Sequence, residues 1–174
     1  MKALLLILNH AYIFFGTSLY VGVLWALHFF WFPTWTNLTV DNYYNQFIPQ
    51  TTTATEFFTI VVPLMFLALV VLVVTEWKTA FRWVALAALV CLSTATYVGQ
   101  LHIIPVNKIL AAGITDQTLL SELLQKWMFL NDIRWVLLTA MWLVMMYYFS
   151  AKGDLLQKLS PTKAESYKVL NSEF

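Results

Sequence analysis

The stretch that decides the fold is FFTIVVPLMFLALVVLVV, Phe57–Val74, which contains no charged residue. A helix needs about 20 apolar residues to cross the hydrocarbon core of a bilayer, and this segment approaches that length. Pro63 lies inside it, and because proline cannot donate a backbone hydrogen bond we expect a kink there. The pattern predicts a membrane-spanning helix.

The rest of the chain contains three more apolar runs of similar length. The four predicted spans are residues 3–32, 57–75, 79–104 and 131–150. Pro33 and Pro105 are expected to end the first and third spans, because proline cannot continue a regular helix. Thr53 and Glu56 have the spacing of a capping box, which predicts that the second helix begins at Thr53.

The fourth helix is expected to begin well before its apolar run. No Gly or Pro occurs between Asp116 and Lys152, and the leucines of residues 119–124 recur at helical spacing. Asp116 is a suitable N-cap for such a helix. We therefore predict a helix that extends outside the membrane ahead of Asn131.

The composition supports a membrane protein with a single domain. Hydrophobic residues make up 60% of the chain and charged residues 11%, against about 25% charged in ordinary soluble domains. Residues 1–150 are predicted to form an all-α, integral membrane four-helix bundle, and residues 151–174 a cytoplasmic tail. The net charge is +1 with no dense basic block, which excludes a nucleic-acid partner. The single cysteine, Cys91, allows no disulfide within the chain.

The distribution of Lys and Arg predicts the orientation. With the N-terminus inside, seven of the ten basic residues lie on the inner side: Lys2, Lys78, Arg82, Lys152, Lys158, Lys163 and Lys168. Only Lys108 and Lys126 lie outside, and the loop of residues 33–55 has no basic residue. The positive-inside rule then predicts both termini in the cytoplasm, with the protein in a bacterial inner (plasma) membrane. Tryptophans mark the two interfaces, with Trp31, Trp35 and Trp127 on the outer side.

Polar residues from all four spans fall at one depth, near the outer side. His28, Glu56 and His102 lie near the outer ends of spans one, two and three, and Asn131 and Arg134 open span four. Because ionisable groups are costly in hydrocarbon, we expect them to face a shared cavity. On span four, Trp135 and Trp142 follow the stripe of Asn131 and are predicted to wall that cavity. Such a cavity suits a flat, apolar or aromatic ligand.

Each of these residues also has a purely structural interpretation. Glu56 could serve only as a helix cap, and both histidines could bond to backbone or water at the interface. Arg134 could extend to the head groups. His10 has no evident polar partner and is interpreted as a packing or interface residue.

Three segments carry a family resemblance: Gly16–Gly22 (GTSLYVG) continuing to His28, His102–Leu110 (HIIPVNKIL) and Lys126–Arg134 (KWMFLNDIR). Together they resemble the anthrone-oxygenase-like family of small four-helix membrane proteins, over residues of about 10–150. The pattern matched is Pro105 and Asn107 after span three, then Trp127, Asn131 and Arg134. Many family members have His at the position of Asn131, and an amide cannot take up a proton as that imidazole could.

The resemblance implies oxidation of an anthrone, an activated polycyclic phenol, to a quinone by molecular oxygen. A histidine, His28 or His102, would take the acidic proton of the substrate, and Asn131 and Arg134 would stabilise the resulting oxyanion. Asn107 and Trp127 would belong to the substrate pocket. The expected function is a membrane-embedded oxygenase acting on a hydrophobic aromatic or quinol-type small molecule.

Two alternatives remain open at the level of sequence. His28 and His102 could be axial ligands of a non-covalent b-type haem, or could join Glu56 around a metal ion. The chain could instead be a non-catalytic small subunit of a larger membrane complex, or could form a homo-oligomer. Its small size and the lack of a sharp catalytic motif favour this last interpretation.

Overall fold

The computed structural model describes residues 2–153, and this part of the chain is all-helical, with no strand. It contains four helices long and apolar enough to cross a membrane: Leu4–Trp35, Tyr43–Glu76, Arg82–Ala111 and Gln117–Lys152. The prediction of four helices able to span a membrane is therefore confirmed. Most of the predicted tail, residues 154–174, lies outside the described residues, and the orientation of the bundle stays a prediction.

The four long helices form a ring around an apolar core, and a second apolar cluster lies at one end of the bundle. In chain order they are α1 (Lys2–Ala26), a first π-helical turn (Leu27–Trp31), α2 (Phe32–Trp35), α3 (Tyr43–Gln46), α4 (Ile48–Glu76), α5 (Arg82–Val98), a second π-helical turn (Gly99–Ile103), α6 (Ile104–Ala111) and α7 (Gln117–Lys152). Helices α1 and α5 each pack against both α4 and α7. Leu69, Leu92 and Met141 are fully buried between them, whereas Phe30 and Ile60 are exposed on the surface that meets lipid.

The two predicted helix starts had different outcomes. Helix α7 begins as expected, since the carboxylate of Asp116 accepts the backbone N–H of Thr118 at 2.8 Å. The capping box at Thr53 and Glu56 was wrong, because α4 already begins at Ile48. Pro49 explains the earlier start, because a first-turn residue needs no N–H partner within the helix.

The prediction that Pro33 and Pro105 end their helices was also wrong. Each helix continues past its proline through a π-helical turn that lies just ahead of it. A proline ring clashes with the carbonyl four residues earlier, which is Phe29 for Pro33 and Leu101 for Pro105. Both carbonyls lie within the π-helical turns, where hydrogen bonds span five residues and the backbone is wider. The chain therefore accommodates both prolines by widening the helix.

Helices α1 and α4 approach closely near their middle. A Cβ added at Gly16 would lie 3.0 Å from Cγ of Met65, so only glycine leaves the Met65 side chain undisturbed. Two side chains of α1 then bond to carbonyls of α4: Asn9 Nδ2 to Ala68 at 3.1 Å and the Tyr12 hydroxyl to Val61 at 3.1 Å. This contact sets the spacing of the two helices.

Candidate functional site

A cavity of about 250 Å³ lies at the end of the bundle where α2, α3 and α6 cover the core. At this end the rings of Trp35, Phe47 and Trp127 pack edge to face, with centroids 4.9–5.6 Å apart. Ligand pockets usually measure roughly 300–1,000 Å³, so the volume favours a small ligand. Its aromatic lining is Trp31, Trp35, Phe58 and Trp127, and its polar lining is Tyr20, Gln50, Thr51, Thr55, Thr59, Thr96, Gln100, Asn107, Asn131 and Arg134.

Both π-helical turns contribute to the cavity wall. Leu27 and Trp31 come from the first turn, and Gly99 and Ile103 from the second. Such turns often occur at functional sites, because the inserted residue redirects side chains and frees backbone groups. Here the two prolines are the local cause of the turns, so the sequence itself shapes this part of the site.

Trp127 holds the polar wall together. Its indole N–H donates to Oδ1 of Asn107 at 2.7 Å, and its backbone carbonyl accepts Nδ2 of Asn131 at 2.9 Å. Trp127 and Asn131 are both buried. The side-chain amides of Asn107 and Asn131 are therefore each held in one orientation.

Arg134 lies next to this pair with its guanidinium at the cavity. Nη1 donates to Oδ1 of Asn131 at 2.7 Å, and Nη2 donates to the hydroxyl of Tyr20. The guanidinium also lies over Gly99, where an added Cβ would be at an ordinary contact distance of 3.8 Å from the guanidinium carbon. Within residues 2–153, no Asp or Glu carboxylate forms an ion pair with Arg134. The positive charge thus lacks a counter-ion in the described part of the chain.

Two buried polar atoms at the cavity residues have no hydrogen-bond partner among residues 2–153. They are Nε of Arg134 and the hydroxyl oxygen of Thr96. A buried polar atom without a partner costs about 1–3 kcal/mol, so native proteins rarely retain one without a reason. Both residues line the cavity.

The predicted site residues divide into two groups. Asn107, Trp127, Asn131 and Arg134 line the cavity, whereas His28, Glu56, His102, Trp135 and Trp142 do not. The expected meeting of both histidines with Asn131 and Arg134 around one cavity is therefore not what the structure has. The aromatic walls come instead from Trp31, Trp35 and Phe58, of which the sequence placed the first two only at the interface.

His28 has its own partners beside the cavity. Its Nδ1 lies 2.7 Å from a carboxylate oxygen of Asp132, and its ring stacks on Trp135 with centroids 4.5 Å apart. The indole N–H of Trp142, the other predicted wall, donates to Ser18 at 3.1 Å. Trp135 thus packs against the first π-helical turn and Trp142 bonds to α1, both outside the cavity.

His102 is exposed on the bundle surface, where its ring lies near Tyr97 with centroids 6.0 Å apart. The second π-helical turn explains this position. Buried residues along α5 follow steps of three or four, ending at Ala95 and Val98, but the next one is Ile103, a step of five. A continuous α-helix would have placed His102 on that face, and the extra residue in the turn moves it off. Glu56 is also exposed, on α4.

The metal candidates do not form a cluster. Among residues 2–153, no group of three or more His, Cys, Asp or Glu side chains is arranged to hold a metal ion. His28 is engaged with Asp132, while His102 and Glu56 are exposed on other helices. These three residues therefore do not form the joint site proposed from the sequence.

A second polar cluster, which the sequence analysis missed, lies at the opposite end of the bundle. Glu76 is only 3% exposed, and its carboxylate accepts bonds from the hydroxyls of Tyr148 at 2.8 Å and Thr79 at 2.7 Å and from Nζ of Lys152. His10 lies 3.3 Å from the Tyr148 hydroxyl, so the expectation that it lacks a polar partner was wrong. The signal available in the sequence was that Glu76 and Lys152 end two helices on the same side.

No protein-family model, curated protein or solved structure matches this chain.

Proposed function

We propose that this chain is a membrane-embedded, oxygenase-like enzyme that binds a flat, lipid-soluble aromatic phenol or quinol in the cavity. The observation that supports this most is Arg134, a guanidinium at an apolar cavity with no carboxylate partner among residues 2–153. An unpaired charge in hydrocarbon is costly, and an anionic oxygen on a ligand would balance it. The aromatic walls provide stacking surfaces for the rest of that ligand.

The chemistry that fits this arrangement is reaction of an aromatic oxyanion with dioxygen. Ionisation of the substrate gives its proton to water and leaves an enolate oxygen beside Arg134 and the Tyr20 hydroxyl. For an anthrone, the ring CH₂ is then oxidised to a carbonyl. One atom of dioxygen becomes the carbonyl oxygen, and the other leaves as water with the two methylene hydrogens. In this proposal Asn131 holds Arg134 in position and takes up no proton.

We also propose an orientation for the bundle and a location for the cavity. On the distribution of Lys and Arg, both termini face the cytoplasm of a bacterial inner membrane, and the cavity lies in the outer leaflet. A substrate dissolved in lipid would then reach the cavity from the membrane.

Oxygen consumption with anthrone as substrate tests the proposed activity. The purified protein in detergent should accelerate oxygen uptake and quinone formation over the protein-free rate. In Arg134→Gln the acceleration over the protein-free rate should be at least about tenfold smaller, because the substitution removes a charge-assisted contact to the oxyanion. Arg82→Gln changes an exposed arginine on another helix and should keep the wild-type rate. A wild-type rate equal to the protein-free rate would overturn the proposed reaction.

A further inference from the structure

The hydrogen-bond directions at the cavity can be assigned from side-chain chemistry. An indole N–H and a guanidinium can only donate, so the amide atoms facing Trp127 and Arg134 must be oxygens. This places Oδ1 of Asn107 against Trp127 and leaves both N–H groups of its Nδ2 free among the side chains of residues 2–153. The Asn131 amide is used on both sides, by Arg134 and by the Trp127 carbonyl.

The donors that remain lie at two levels of the same wall. Arg134 uses two of its five N–H groups on protein partners in residues 2–153, and the Tyr20 hydroxyl accepts one of these and so keeps its own hydrogen to donate. Asn107 is tied to Trp127, which lies seven residues before Arg134 on α7. Seven residues correspond to about 10 Å along a helix axis. The wall thus offers donors at both ends.

The threonines of α4, on the facing wall, have no hydroxyl hydrogen left to donate to a ligand. Thr51 donates to the carbonyl of Phe47, just ahead of α4, and Thr55 and Thr59 donate to carbonyls within α4, at 2.7–3.0 Å. A hydroxyl whose hydrogen is used in this way can only accept. Among the cavity donors, those of Arg134, Tyr20 and Asn107 are held in place by bonds to the protein, whereas the amides of Gln50 and Gln100 belong to exposed residues.

From this pattern we infer the class of ligand: a fused-ring aromatic molecule with an ionised hydroxyl oxygen at one end, bound by Arg134 and Tyr20, and a carbonyl-type acceptor at the other, bound by Asn107. The inference rests on the proposed binding site and adds which ligand group binds at each end and how far apart the two groups lie. A ligand with a donor at the Asn107 end would meet N–H groups there and leave them unpaired. An acceptor at the Asn107 end should therefore bind better than a donor there.

Three related naphthalenes test the inference: 6-acetyl-2-naphthol, which has both groups, 2-naphthol, which lacks the ketone, and 2-acetylnaphthalene, which lacks the hydroxyl. Their dissociation constants are measured by quenching of tryptophan fluorescence with wild-type protein and with Asn107→Ala and Arg134→Gln. Each variant is first checked for unchanged size-exclusion behaviour and thermal melting in detergent. Asn45→Ala and Arg82→Gln, both at exposed positions, are the matched controls.

The two ends should respond independently, as in a double-mutant cycle. In wild type, the ketone should improve binding over 2-naphthol by about three- to tenfold, and Asn107→Ala should remove this gain. Arg134→Gln should remove the gain from the hydroxyl and leave the gain from the ketone. Since the acetyl group also makes the naphthol more acidic, the comparison across Asn107→Ala isolates the contact itself.

The possible failures are separable. A ketone gain that is equal in wild type and Asn107→Ala would overturn the inferred ligand class, as would an equal loss for all three ligands in that variant. In either case, binding of 2-naphthol that depends on Arg134 would leave the proposed site standing. Failure of all three ligands to bind the wild-type protein would overturn both the inference and the proposed site.

Discussion

Nη1 of Arg134 lies 2.7 Å from Oδ1 of Asn131, so the guanidinium is held by an amide and not by a carboxylate. An amide orients the arginine without cancelling its charge. In the described residues this contact, together with the Tyr20 hydroxyl, leaves the charge available to a ligand. The pair therefore suggests a site preorganised for an anion.

Asn131→Asp should make the charge of Arg134 unavailable to a ligand while keeping the fold. The carboxylate has the shape of the amide and would form an ion pair with Arg134 inside the cavity. We expect at least about tenfold weaker binding of 2-naphthol and a lower melting temperature, because the carboxylate cannot donate to the Trp127 carbonyl as Nδ2 of Asn131 does. Asn45→Asp, at an exposed position, is the control and should change neither. Unchanged naphthol binding in Asn131→Asp would contradict the role given to Arg134.

Gly16 and Gly22 should differ sharply in their tolerance of a side chain. A Cβ at Gly16 meets Met65 at 3.0 Å, whereas a Cβ at Gly22 has nothing within 4 Å. Gly16→Val should therefore lower the free energy of unfolding by about 1–3 kcal/mol, because it forces α1 and α4 apart. Gly22→Val should stay within about 0.5 kcal/mol of wild type. A titration with a denaturing detergent measures the free energy of unfolding of both variants. Equal losses would show that the close approach of α1 and α4 does not limit the size of residue 16.

The buried carboxylate of Glu76 should make Lys152 important for stability. Lys152→Met leaves a charge buried at the end of α4 and should cost about 1–3 kcal/mol, less than for a fully buried pair because Lys152 is 45% exposed. Adding Glu76→Gln should restore most of this loss, since an amide needs no counter-ion. Lys126→Met is a suitable control at an exposed lysine. A double variant no more stable than Lys152→Met would argue that the ion pair contributes little.

The orientation can be tested with cysteines at the two ends of the bundle. In a Cys91→Ala background, Asn45→Cys should react with an impermeant thiol reagent added to intact cells, and Lys78→Cys should be protected. Both positions are exposed, so accessibility depends on the side of the membrane. The reverse labelling pattern would invert the bundle and place the cavity in the cytoplasmic leaflet.

The sequence predicted the architecture well because its signals are local. Apolar length gave the four spans, and an acidic N-cap ahead of an uninterrupted helical run gave α7 from Gln117 onward. Along α7, which has no irregular turn, Trp127 and Asn131 are buried, whereas Trp135 and Trp142 of the same predicted stripe are half-buried outside the cavity. On a regular helix a fixed angle per residue predicts the inward face, but not which of its residues reach the cavity.

The same extrapolation failed where the helices widen. His28 and His102 both lie inside π-helical turns, so their directions could not be obtained from α-helical angles. The available signal was a proline shortly after each histidine, but a proline after an apolar run also predicts a helix end. Contacts between distant helices, such as His10 with Tyr148, depend on packing and have no local signal.

The central claim, that Arg134 holds an anionic aromatic oxygen, is tested most directly by the ionisation of bound 2-naphthol. Its absorbance spectrum distinguishes naphthol from naphtholate, and a titration in the presence of saturating protein gives the pKa of the bound ligand. A positive charge close to the oxygen favours the anion, so wild-type protein should lower that pKa by roughly 1–3 pH units. In Arg134→Gln the apolar cavity should leave it at or above the value in water. A bound naphthol with the same pKa in wild type and Arg134→Gln would contradict the account.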